Sequence, residues 1–208
     1  MKNFVSMTVL LLLAAGALFA QGFTGGNGGA ASTTIMLKTD KAVFALRTGV
    51  LVKNDATTLK QLAELQLFGT APVKPTDPTD QTAMQDYRTQ MMKRLAPALM
   101  FATKDSLIVI IGDGFWRISQ DTLTAAVTTS LAVPGEPATP AARPGAEPVP
   151  GYILDGTTLY LMRAKEELSI NITDGTILAR VALPDELQPV NLGGGRRNGG
   201  GGGAAAGG

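Results

Sequence analysis

Four acidic residues stand where paired carboxylates could do chemistry: Asp105, Asp113, Glu166 and Glu167, each near the end of an apolar, β-favouring run. Two such groups flanking a sugar would serve in glycoside hydrolysis, and their separation would set the stereochemistry. All four also fall at turn-like stretches, where charge is expected without catalysis. Asp55, Asp121 and Asp174 recur in three comparable turns and could be read as calcium ligands. Calcium takes about six to eight oxygens, and no D-x-D-x-D run supplies them here. An aspartate accepting backbone N–H bonds within its own turn accounts for one such residue per repeat. Met84, Met91, Met92 and Met100 could form a thioether copper site; methionine is also an adaptable core filler. Trp116 lies between Phe115 and Arg117. Adjacent strand residues face opposite ways, so one of Phe115 and Trp116 is expected to point inward. If Trp116 is the outward one, it is the candidate ligand contact.

The chain has no histidine and no cysteine. That removes the usual general base and every Ser–His or Cys–His nucleophile pair. It also removes thiolate and imidazole zinc sites. With 18 basic and 17 acidic residues the net charge is +1, which leaves no electrostatic footprint for nucleic acid. We therefore assign no catalytic residue, no metal ligand and no cofactor from the sequence.

The ends carry their own instructions. Lys2, an apolar run from Phe4 to about Phe19, and Ala20 before a polar stretch form the layout of a signal peptide over residues 1–20. The mature chain is expected to begin near Gln21, in a secreted or periplasmic location, with no stable membrane anchor after cleavage. Residues 21–32 hold five glycines and read as a flexible leader. Residues 193–208 hold ten glycines and read as a disordered tail, too poor in apolar side chains to offset its ordering entropy.

Between these ends, residues 33–192 read as one β-repeat domain. Three units, about 33–68, 98–133 and 152–184, each carry an apolar strand, a tight turn, an alternating strand, an Asp-containing turn and a closing strand. Leu107–Ile111 is a continuous run of branched apolar residues, suited to a strand covered on both faces. Leu168, Ile170 and Ile172 alternate with Ser169 and Asn171, which predicts one buried and one polar face. A helical insertion spans about 80–96. Met84, Tyr87, Met91 and Leu95 share one helix face, Asp80 or Thr79 can cap its start, and Pro97 stops it. Residues 134–150 carry six prolines and read as an extended loop.

The stretches VFALRTGVLVKNDATTLKQLAELQL and LYLMRAKEELSINITDGTILARVAL resemble the repeats of quinoprotein-like (PQQ-like) β-propellers. The resemblance implies antiparallel four-stranded blades, in a partial, open or oligomeric β-propeller with one inserted α-helix. It implies shape and not dehydrogenase activity, because the family's cofactor and metal residues have no counterpart. The tryptophan that usually ends the closing strand is also missing, since Trp116 sits one strand earlier. Three blades fall short of the roughly 4–8 that close a ring. The reading that results is a non-catalytic binding or scaffold protein, with a protein partner or self-association through sheet edges. The alternatives are a carboxylate-dependent hydrolase, and an accessory subunit pairing its edges with another propeller protein.

Overall fold

The computed structural model describes residues 34–133, 151–163, 165–184 and 186. The expected signal peptide, leader, proline-rich loop and glycine-rich tail lie outside them.

Among the described residues, twelve strands and one helix follow in order. Sheet I holds β1 (Ile35–Lys38), β2 (Val43–Arg47), β3 (Val50–Asn54) and β4 (Gln61–Gln66). The helix α1 (Gln81–Arg94) precedes sheet II, with β5 (Ala98–Ala102), β6 (Ser106–Ile111), β7 (Gly114–Ser119) and β8 (Ala125–Ser130). Sheet III holds β9 (Gly151–Asp155), β10 (Thr158–Met162), β11 (Glu166–Asn171) and β12 (Ile177–Ala182). Each sheet is an antiparallel meander of four strands in sequence order. The fold is all-β, a blade-like repeat with one inserted helix.

The sheets stack in chain order. We call the face toward the following sheet the rear and the opposite face the front. The rear of sheet I (Phe44, Leu46, Leu51) meets the front of sheet II (Leu107, Val109, Ile111, Trp116, Ile118) in one core. The rear of sheet II (Leu99, Phe101, Ile108, Ile110, Phe115) meets the front of sheet III (Leu159, Leu161, Leu168, Ile170) in another. All six residues of β6 are buried, as its uninterrupted apolar run requires. A side chain of that size, fully buried, contributes about 1.5–3 kcal/mol by transfer from water. Among the described residues the stack is open, with the front of sheet I and the rear of sheet III uncovered.

The three turns after the third strands share one geometry. Leu59, Leu123 and Gly175 donate their backbone N–H to the carbonyls of Asp55, Ser119 and Asn171 at 3.0, 3.0 and 2.8 Å. These donors have φ values of 57°, 54° and 75°. The equivalent first residues are therefore Asp55, Ser119 and Asn171, not Asp55, Asp121 and Asp174. Each of the three caps its own turn: Thr58, Thr122 and Thr173 donate N–H bonds to their side-chain oxygens at 2.7, 3.3 and 2.9 Å. A strand irregularity recurs just before each turn, and the aspartates are out of step because Asp121 and Asp174 stand third and fourth in their turns whereas Asp55 stands first.

Helix α1 starts as its sequence predicts. Asp80 is the N-cap and its carboxylate accepts the Ala83 N–H at 2.9 Å. Met84, Tyr87, Met91 and Leu95 are half-buried. The helix is fastened instead by Arg94, which is 5% exposed and donates to the carbonyls of Gly69 and Thr70 at 2.9 and 2.8 Å. No helix among the described residues is long and apolar enough to cross a membrane.

Candidate functional site

The structure puts each chemically suggestive residue in a definite place. Trp116 is 5% exposed and lies in the core between sheets I and II. Phe115 is buried as well, at 0%, in the other core. The expectation that only one of them points inward is corrected: they do face opposite ways, but β7 belongs to a sheet covered on both sides. The indole folds back over Gly114, where a Cβ would come within 2.0 Å of its ring. It meets Phe68 edge-on at 5.1 Å between centroids. So placed, Trp116 fills the core and offers no surface to a ligand. Gly114→Ala is expected to displace the ring and to cost about 2 kcal/mol by overpacking. Denaturation followed by the fluorescence of this single tryptophan measures it; an unchanged midpoint would contradict the placement.

The candidate carboxylates are brought together in part. Arg163 pairs with Asp113 and, at 3.0 Å, with Glu166, and Arg180 pairs with the other oxygen of Glu166. Both arginines also donate to the Leu131 carbonyl, at 3.1 and 2.8 Å. This cluster ties the turn and last strand of sheet II to sheet III. Its carboxylates are engaged by guanidinium groups, an arrangement that holds sheets together. Asp105 and Asp121 form a second tie, accepting Lys41 from sheet I at 3.5 and 3.1 Å. The hydrogen bond to Asp121, together with both negative charges, raises the Lys41 pKa. Glu167 stands apart on the rear of sheet III.

Asp55 and Asp174 are held below the ordinary carboxylate range by N–H and hydroxyl donors in their turns, chiefly the Thr58 N–H for Asp55 and the Thr176 N–H for Asp174. A depressed folded-state pKa means that their small contributions to stability are present at neutral pH. They are lost as pH falls from the ordinary aspartate range through the depressed values. Met100 is a 1% exposed core residue, whereas Met84, Met91 and Met92 are half-buried on α1. No cluster of three acidic side chains suited to a metal occurs among the described residues.

What sequence reasoning missed is the rear face of sheet III. Strand register puts Ile153, Tyr160, Ser169 and Ala179 in one row, and Gly151, Met162, Glu167 and Val181 in the next. Ile153, Tyr160, Met162 and Val181 are 69%, 48%, 52% and 58% exposed. Together the two rows line a shallow concavity of about 570 Å³. A signal was present in β10, TLYLM, which is apolar at successive positions and so must be apolar on both faces. The alternation in β11 pointed the other way, because Glu167, Ser169 and Asn171 make that strand's rear polar.

No protein-family model and no curated protein matches this sequence. Among solved structures, Hsv2 from Kluyveromyces lactis is similar at 12% identity and a TM-score of 0.30, covering 71% of this chain and 49% of its own. The WD40 domain of SCAP from fission yeast is similar at 8% identity and a TM-score of 0.35, covering 78% and 33%. The chain thus spans half or less of the length of these two structures. At such scores the architecture is read from the three sheets themselves.

Proposed function

We propose that this chain is an exported, non-catalytic binding or scaffold module, secreted or periplasmic, whose rear face on sheet III takes a protein partner. The observation that carries this reading is the exposure of four bulky apolar side chains on one sheet face. Contiguous apolar surface of that kind marks interaction sites in proteins. The quinoprotein-like resemblance enters as one of blade shape alone. Engagement of Asp113 and Glu166 by arginines favours this reading over a hydrolase.

The test is a photoreactive residue placed at Tyr160, with a control at Thr58 in an exposed turn, in protein expressed with its full N-terminus. Illumination of the native envelope fraction is expected to give one discrete protein adduct from position 160 and none from position 58. The same preparation is expected to begin at Gln21. Equal, diffuse labelling from both positions would overturn the binding face, and a cytoplasmic chain still starting at Met1 would overturn export.

A further inference from the structure

The two internal junctions are one junction used twice. Register gives Phe44, Ile108 and Tyr160 the same place in the second strand of each sheet, opposite Lys53, Arg117 and Ser169. Leu46, Ile110 and Met162 hold the next rear place, opposite Leu51, Phe115 and Glu167. In sheets I and II these apolar residues are buried against the sheet that follows. The polar ties repeat as well. Lys53 donates to the carbonyls of Gln120 and Asp121 at 2.8 Å each, and Arg117, its equivalent, donates to the Thr173 carbonyl at 3.0 Å. Sheet III therefore presents the rear half of this junction. The front of sheet I presents the other half: Met36, Ala45 and Val52 are equivalent to the buried Met100, Val109 and Trp116.

We propose that a second copy of this chain covers the rear of sheet III with the front of its own sheet I, and that two copies close head to tail into a ring of six sheets. This rests on reading the rear face as a partner surface and names the partner. The three sheets among the described residues fall short of the roughly 4–8 that closed rings use, and two copies of them supply six. A head-to-tail contact made twice about a two-fold axis covers both end faces of both copies. Pairing sheet III with sheet III would leave two sheet I faces open.

The internal junction also selects the cross-link. Phe101 of sheet II stacks on Tyr152 of sheet III with centroids 5.1 Å apart. By register the next pair in that series is Ile153 with Met36 of the second copy. Both are exposed, at 69% and 51%, and the chain has no other thiol to compete. In the purified exported chain, Met36→Cys/Ile153→Cys is expected to convert mostly to a covalent dimer on mild oxidation. Each single variant is expected to stay unlinked, and Tyr160→Asp to shift the sedimenting species from dimer to monomer. A covalent dimer from Ile153→Cys alone would overturn the proposal, since sheet III would then meet itself. An intrachain link would overturn it, and so would an unlinked monomer. Because only purified chain is present, that failure leaves intact any envelope adduct with a different protein. Loss of both would remove the binding face altogether.

Discussion

Ile110→Asp is expected to abolish the folded state. Ile110 is 1% exposed, at the centre of the rear of sheet II, packed into the core shared with sheet III. An aspartate there has only apolar neighbours, and burying its charge, or keeping it neutral, costs several kcal/mol. The lost packing of the isoleucine adds about 2 kcal/mol or more. The sum is comparable with the whole stability of an ordinary domain, about 5–15 kcal/mol. Exported yield and the denaturant midpoint report it. Asp113, three residues on, gives the contrast. Its side chain is 38% exposed and its partner Arg163 keeps Glu166, so Asp113→Ala is expected to cost about 1 kcal/mol. Comparable losses from the two variants would mean that the β6–β7 register is wrong.

Glu166→Gln is the second large effect. One carboxylate, 15% exposed, serves two arginines that are 20% and 23% exposed. Removing its charge while keeping its shape leaves two guanidinium groups sharing one amide oxygen, with Asp113 and the Leu131 and Ala132 carbonyls as their other acceptors. Breaking a well-buried pair costs about 3–5 kcal/mol, and partial exposure brings the expectation here to about 2–3 kcal/mol. The denaturant midpoint measures the loss. A double variant that also removes Arg180 should recover part of it, because the orphaned charge goes too. A loss no larger than that of Asp113→Ala would show the cluster to be ornamental.

How much of this was legible in the sequence depends on where in the stack a residue lies. Strands with an uninterrupted apolar run, such as Leu107–Ile111, announced burial on both faces, and the Asp80 cap and the Pro97 stop announced the helix. Periodicity reports on one strand against its neighbours. It does not say which sheet will cover a face, so Tyr160 and Met162 read like Ile108 and Ile110 although one pair is covered and the other is not. Trp116 failed as a ligand contact for the same reason, since sheet II has no outward side. The arginine cluster was invisible because Asp113 and Glu166 meet only across the gap between two sheets, 53 positions apart in the chain. The Asp55, Ser119 and Asn171 equivalence was hidden because three different side chains perform one hydrogen-bonding role.

The double-sided burial of sheet II also bears on synthesis. Its strands leave the ribosome before sheet III exists, and until then Ile108, Ile110 and Phe115 have nothing to cover them. A chain interrupted between Ser130 and Gly151 would carry that bare apolar sheet permanently. Such fragments expose branched apolar strands on which Arg117 is the lone charge, a low-charge composition of the kind that seeds aggregation. The last third of this protein thus acts for the middle third as a lid acts for a vessel, and release of an unfinished chain leaves the vessel open.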